Sequence, residues 1–268
     1  MSALAALVTQ GHRLADVGCD HGYIPIYLCL TDRIPSAIAM DINQGPLARA
    51  EAHIAAYGLR ERIQTRQSDG LKELCEDEAD TVLIAGMGGF LMKRILSEEH
   101  AVPRSVSELV LQPQSDICEV RRSLRELGFV IADEDMVEED GKFYPMMKAK
   151  RVRESCGNTG DGMNSDAREI DGSVQTTDSH ITADPGQSHL ERLCEDTFGP
   201  VLLKKRHLVL RRWLEKEKMT AEQILLRLDA ACADRTRDDR VPDNRLIVRR
   251  DEILQRRDLL LHALLYYQ

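Results

Sequence analysis

The sequence predicts an α/β fold: a mostly parallel sheet with helices on both faces, closed by a terminal antiparallel hairpin and followed by an α-helical hairpin of coiled-coil type. Three observations predict it. Short apolar runs alternate with amphipathic stretches as far as residue 127, and regular alternation of this kind implies right-handed crossovers and parallel strands. Residues 129–138 and 142–150 are then strand-like and separated by Glu139-Asp140-Gly141, and Asp-Gly is a strong hairpin signal. Beyond them, residues 201–232 and 244–266 read as long helices. In the second, Leu246, Ile253, Leu260 and Leu264 lie near heptad spacing, which predicts antiparallel pairing of the two.

Each element follows from local pattern. Residues 1–11 read as a short helix packed ahead of the first strand, 13–17. A glycine-punctuated turn leads into a helix over 22–30, and strand 37–40 follows. The next helix covers 46–57, with Pro46 favourable in its first turn and Gly58 placed to end it. Strands at 63–67, 81–85 and 109–111 alternate with helices at 89–96 and 116–127. From 154 to 189 the residues are mostly Gly, Ser, Thr, Asp, Asn and Gln without a period, so burial there cannot offset the entropy of ordering. Phe198-Gly199-Pro200 then punctuates the chain. The predicted division is a sheet domain over 1–152, a flexible insertion or linker over 153–197 and a helical hairpin over 198–268.

Composition narrows the class. At 268 residues with 43% hydrophobic side chains, the chain is long enough for one large domain plus an appendage, or for two small domains. No apolar run approaches the ~18 residues of a membrane span, and residues 1–11 lack the basic start of a secretory signal. The seven cysteines, Cys19, Cys29, Cys75, Cys118, Cys156, Cys194 and Cys232, are odd in number, scattered and never spaced as Cys-x-x-Cys. Neither a disulfide frame nor a metal site is expected, and the cytoplasm is the expected compartment. Cys19, inside the glycine turn, reads as a small tolerated residue before it reads as a reactive thiol. The net charge of −9 divides unevenly: residues 198–268 carry 16 Lys and Arg against 11 Asp and Glu, a net of +5 that leaves −14 for the rest. An acidic body with a basic appendage is implied.

The chemistry concentrates at strand ends. After the first strand, which contains Asp16, come Gly18, Asp20, His21 and Gly22, a Gly-x-x-x-Gly turn that lets a ligand approach bare backbone. A dinucleotide fingerprint would have glycine where Asp20 stands, which argues against a pyrophosphate and for a smaller, cationic nucleoside. Asp41, followed by Ile42, ends the second strand; it can accept both hydroxyls of a ribose or cap the next helix. Asp69 and Gly70 follow the third strand, where Asp can accept from an adenine amine or simply close a turn. Gly86-Met87-Gly88-Gly89 follows the fourth, as the floor of a cleft or a sharp strand-helix turn. Gln112 and Gln114 offer donors and acceptors after the fifth, or form a polar loop.

Residues 16–25, 84–89, 109–113 and 198–203, in this order, resemble the bacterial TrmK family. The resemblance covers nearly the whole chain and implies a Rossmann-like class I methyltransferase sheet that uses S-adenosylmethionine to methylate N1 of adenine 22 in tRNA. It implies that Asp16, Gly18, Asp20, His21 and Gly22 line the methionine end of the cofactor. Asp41 with Ile42 would serve the ribose, Asp69 and Gly70 the adenine, and Gly86, Met87 and Gly88 the floor. Two features depart from the family's pattern: the helix before the first strand is short, and the segment 154–189 is long. The first leaves open how one side of the pocket is covered.

Adenine N1 has a free lone pair, so transfer from a sulfonium calls for positioning and charge balance more than for a strong base. Tyr23 is the candidate for stacking the base, His21 and Gln112 for orienting it, and Asp20 for balancing the cationic product ring. Lys204, Lys205, Arg206, Arg211 and Arg212, with the ring of Trp213, are candidates to grip tRNA phosphates, unless Glu215 and Glu217 balance them as a solvated helix face. A methyltransferase of the same fold acting on another RNA, a protein or a small molecule is the first alternative, and the basic tail counts against the last two. A non-catalytic RNA-binding protein is the second, opposed by the intact glycine and acidic set. A nicotinamide dehydrogenase fits worse, because of Asp20 and the terminal hairpin.

Overall fold

The computed structural model describes residues 1–98, 102–152, 188–237 and 244–268. Helix α1 (Ser2–Leu7) precedes β1 (Leu14–Val17), α2 (Tyr23–Leu30), β2 (Ala37–Asp41), α3 (Gln44–Ala56) and β3 (Ile63–Gln67). Strand β4 (Thr81–Met87), α4 (Gly89–Ser97), β5 (Glu108–Pro113) and α5 (Ile117–Glu126) complete the alternating part. The hairpin is β6 (Phe129–Glu139) and β7 (Lys142–Arg151). The strands form one sheet in the order β3-β2-β1-β4-β5-β7-β6. Strands β1 to β5 are parallel, and β7 runs antiparallel to both β5 and β6.

The central strands are apolar on both faces because both faces are covered. Ala15, Val17, Ile84 and Leu111 point to a core shared with Met92 and Ile95 of α4 and Val120 and Leu124 of α5. Leu14, Ala39, Leu83 and Val110 point the other way, toward Leu4 and Leu7 of α1, Leu28 of α2 and Ile54 of α3. Helix α3 starts at Gln44, two residues before the expected start, with Pro46 still in its first turn. Gly58 ends it as expected: its φ is +70°, and the Leu59 N–H donates to the Ile54 carbonyl at 2.9 Å.

Three expectations need correction. Strand β4 reaches Met87, not residue 85, because its register shifts between Ala85 and Met87 and lets pairing with β5 resume at Pro113. The single helix expected over 201–232 is two, α7 (Pro200–Lys204) and α8 (Leu208–Arg237). Arg206 takes φ +51° between them, and the His207 N–H closes on the Leu202 carbonyl at 3.0 Å. The break lets Leu202, Leu203, Leu210 and Leu214 all reach one core. The expected linker over 153–197 ends in a helix, α6 (His189–Phe198), started by a capping box in which Ser188 and Glu191 bond reciprocally. The rest of that segment, 153–187, lies outside the described residues, as do Cys156 and Pro242.

Helices α6 and α7 are fastened to the sheet by buried charge. Arg121 of α5 and Glu134 of β6 pair at 2.9 Å with side chains 1% and 0% exposed. Arg121 also donates to the Asp196 and Thr197 carbonyls, and Glu134 accepts from the Val201 and Leu202 N–H groups. Asp196, nearly buried, takes Arg125 through both oxygens. Helix α9 (Asn244–Leu265) packs antiparallel to α8, since Glu217 pairs with Arg256 and Asp229 with Arg250. Ile253 and Leu260 of the expected heptad series are buried. Along the hairpin, Lys205 meets Asp133, Arg212 meets Glu138, and Lys216 lies over the Phe143 ring. Helix α8 therefore runs toward the β6–β7 turn, the same end of the molecule as the carboxyl ends of β1 to β5.

Candidate functional site

The strand order reverses between β1 and β4, and the crevice outside their carboxyl ends is where an open α/β sheet holds ligands. Gly18 leaves β1 at φ +78°, with its N–H and that of Cys19 donating to the Met40 carbonyl at 2.8 and 3.0 Å. A Cβ on Gly18 would lie 2.2 Å from Cε of Met87, so the methionine covers that glycine. Gly18→Ala is expected to lose about 1–2 kcal/mol through the left-handed backbone alone, with Met87 driven aside; chemical denaturation checks it. Gly22, φ +68°, opens α2.

Asp16 is 6% exposed, and among the described residues no cation or hydrogen-bond donor partners it. Burial first, and then the nearby Asp41, push its carboxyl up to about 7. Such a group suits a cationic ligand. Asp41 accepts from the Asn43 N–H at 2.8 Å through Oδ1, which folds the turn before α3. The α3 N-cap itself is Asn43, and among the described residues no donor reaches the other Asp41 oxygen. Ile42 beside it is exposed. Asp69 is engaged by Lys72 and, at 3.9 Å, by Arg94, and the Lys72 hydrogen bond holds its carboxyl below the usual range. Gly70, φ +64°, completes that turn under Ile95.

Gly86 takes φ +75° at the β4 bulge, and its N–H donates to Oε1 of Gln112 at 3.0 Å. Gln112 thus shapes the bulge next to Met87. Gly88 and Gly89 bring the start of α4 against the loop after β5: a Cβ on Gly89 would lie 2.4 Å from the Ser115 carbonyl oxygen. For Gly89 the sharp-turn explanation suffices. Phe90, the next residue, is 63% exposed at the rim.

Asp20, His21 and Tyr23 lie together. Asp20 is exposed, pairs with Arg49 and stands 3.3 Å from Nε2 of His21. The Arg49 hydrogen bond holds its carboxyl below the usual range, so Asp20 is an anion already partnered by a cation. The His21 and Tyr23 rings stack at 5.0 Å and 12°. His53 of α3 lies against both, at 5.4 Å from each. Sequence reasoning missed Arg49 and His53. Their i, i+4 spacing marks one helix face, but nothing local ties that face to the glycine turn.

The basic cluster is not a free patch. Lys205 and Arg212 bind carboxylates of β6, Arg211 binds Glu215 at 2.9 Å, and Lys204 stands 4.0 Å from Glu195. Glu215 acts as expected of a balancing charge, whereas Glu217 pairs with Arg256 of α9. Arg206 is exposed in the α7–α8 break. Trp213 packs edge-on to Phe198 at 5.8 Å and belongs to the helical core. Among the described residues no group of His, Cys, Asp or Glu is arranged to hold a metal, and no helix is long and apolar enough to cross a membrane.

Residues 1–147 match the family model described as a methyltransferase domain. The chain is 35% identical over 150 residues to the tRNA (adenine(22)-N(1))-methyltransferase of Bacillus subtilis, a match covering 56% of this chain and 63% of that enzyme. It is 32% identical over 155 residues to a putative tRNA methyltransferase of Mycoplasma pneumoniae, covering 57% of this chain and 71% of the relative. Among solved structures, a putative tRNA (m1A22) methyltransferase of Streptococcus pneumoniae superposes with a TM-score of 0.72 at 28% identity, over 98% of this chain and 97% of that one. The same Streptococcus pneumoniae enzyme in complex with S-adenosyl-L-methionine gives 0.69 at 28% identity, with 98% and 97% covered. Sequence similarity to the curated relatives thus lies in about half the chain, whereas the structural likeness extends through α6 to α9. The chain belongs to the methyltransferase-domain family, and its relatives there include tRNA adenine-22 N1-methyltransferases of the TrmK group.

Proposed function

We propose that the protein transfers a methyl group from S-adenosylmethionine to N1 of an adenine in tRNA, at position 22. The observation that carries this reading is the joint match of cleft and appendage to the solved Streptococcus pneumoniae enzyme, over 98% of the chain. The residues present fit the cofactor. A buried carboxylate without a cation, Asp16, suits the ammonium of the methionine moiety, and the free oxygen of Asp41 suits a ribose hydroxyl. When bound, the cofactor supplies an electrophilic methyl on a sulfonium.

The chain's part is placement. Tyr23, 47% exposed and braced by His21 and His53, offers a face for a base that has left the tRNA stack. Gln112 fixes the bulge at Gly86 and so the wall that carries Met87. Its Oε1 is engaged in this way, while its Nε2, 3.4 Å from the Pro113 carbonyl, keeps an N–H to orient the base. Asp20 supports the cationic product ring as half of an ion pair, which weakens its field there. Gln112→Ala is expected to lower kcat about tenfold while leaving cofactor affinity within a factor of two, as loss of a hydrogen bond that positions a wall should. Titration of cofactor and single-turnover methylation separate the two.

For the tRNA, the exposed Lys204 and Arg206 are the members of the basic set placed to meet phosphates; Lys205 and Arg212 hold β6, and Arg211 is held by Glu215. Neutralising Lys204 and Arg206 together should weaken tRNA binding and flatten its salt dependence, with unaltered binding counting against the assignment. The deciding experiment incubates the full chain with labelled S-adenosylmethionine and unmodified tRNA, then maps the methylated nucleotide. Incorporation at N1 of adenine 22, abolished when that position is guanine, is the expected result. Cofactor binding without incorporation into any tRNA would refute the reading.

A further inference from the structure

Helix α3 contacts the turn between β1 and α2 residue by residue. Arg49 pairs with Asp20. Ala50 is fully buried, and its Cβ lies 3.4 Å from where a Cβ on Gly22 would stand. His53 Nδ1 lies 3.1 Å from the His21 carbonyl oxygen, and its ring stacks on those of His21 and Tyr23. A carbonyl only accepts, so this nitrogen of His53 carries the proton and donates. Positions 49, 50 and 53 share one helix face by the 3.6-residue period, so a single rigid surface meets Asp20, His21, Gly22 and Tyr23.

The turn needs such a surface. Gly18 and Gly22 both sit in the left-handed region, and glycine at such positions loses more freedom on ordering than any other residue. From β2, the Met40 carbonyl holds its first two N–H groups, those of Gly18 and Cys19. Its far half, from Asp20 to Tyr23, has α3 as its polar anchor. Among the described residues the buried His21 Nδ1 has no hydrogen-bond partner, so there the ring is held by stacking and by Asp20, and His53 supplies half of that stacking.

We propose that Arg49 and His53 are positioning residues for the cofactor-binding turn, which aim Asp20 and Tyr23 from behind without touching the reacting atoms. The proposal rests on the methyltransferase reading given above. It makes α3 the element through which the turn and the stacking face keep one geometry, and a displacement of this kind of about 1 Å can cost up to ~100-fold in rate.

The test uses the full chain with His53→Ala, His53→Asn, His53→Phe and Arg49→Met, measuring cofactor Kd by calorimetry, kcat and KM on tRNA, and thermal stability. His53→Ala is expected to raise the cofactor Kd about fivefold, the scale of one hydrogen bond, and to lower kcat about tenfold or more. Asn restores an N–H donor and should recover Kd; Phe restores the ring and should recover part of kcat through Tyr23. Recovery that splits in this way is what general loss of stability does not produce. If His53→Ala fails to fold, Arg49→Met carries the test, because its half-exposed side chain can be removed without opening the core. Wild-type Kd and kcat in both His53→Ala and Arg49→Met, or losses that merely follow the folded fraction alike in all His53 variants, would overturn the proposal. A wild-type chain that binds cofactor and methylates no tRNA would instead refute the functional reading, with the Kd measurements still deciding the role of α3.

Discussion

Asp16→Asn is expected to weaken S-adenosylmethionine binding about 100-fold, on the scale of ~3 kcal/mol for removing one partner of a desolvated charge pair. It is also expected to stabilise the ligand-free protein. The wild-type carboxyl is raised from an ordinary 3.8 to about 7 by burial and then by Asp41. Between those values the folded chain keeps a proton that the unfolded chain releases, so this group's contribution to stability is greatest at acid pH and is lost as pH rises toward 7. At ~1.4 kcal/mol per unit the loss is a few kcal/mol. Cofactor binding has the opposite sign: the ammonium requires the ionised carboxylate, so Kd should fall about tenfold for each unit that pH rises toward 7 and level off above it. Melting curves and calorimetry from about pH 5.5 to 8.5 check both, and Asp16→Asn should flatten both. A pH slope equal in wild type and Asp16→Asn would remove Asp16 as its source.

Arg121→Met should cost about 3–5 kcal/mol, because it leaves the buried Glu134 carboxylate without its cation and frees the Asp196 and Thr197 carbonyls. Adding Glu134→Leu should recover only part, since the Val201 and Leu202 N–H groups then lose their acceptor. Denaturant titration gives the energies. The functional consequence is selective: the pair fastens α6 and α7 to the sheet but lies outside the cleft, so KM for tRNA should rise while cofactor Kd holds. A change in cofactor Kd as large as that in KM would show that the helices also shape the cleft.

The elements that the sequence revealed are those whose causes are local. Glycine turns, the Asp140-Gly141 hairpin and the apolar strands depend on a few neighbouring residues, and all are present, with β4 and β5 extended past their expected ends. Helix α6 was legible too, in the Ser188-x-x-Glu191 box, but the polar stretch before it masked the signal. The partner of Lys205 was not legible because it is remote: Asp133 lies 72 positions away, and no window along the chain contains both. Arg49 and His53 escaped notice for the same reason. Helix periodicity identified their face as a face, and only the packing of α3 against the turn gives it an object. In the cleft, the strand-and-turn pattern located Asp16, Gly18 and Asp41 at the carboxyl ends of β1 and β2. It could not foretell that Gln112 would bond to a backbone N–H or that Asp69 would hold Lys72.

The pairing of Lys205, His207 and Arg212 with β6 also bears on how copies of the protein avoid one another. Strand β6 is an outermost strand of the sheet, and an open edge is a template for a second sheet. Here the edge carries Asp133, Asp135, Glu138 and Glu139, a row of like charge that repels its own image. The helices meet that row with cations and lie along it. Crowded solutions of the chain are thereby protected twice, by a cover while the helices are docked and by self-repulsion whenever they lift.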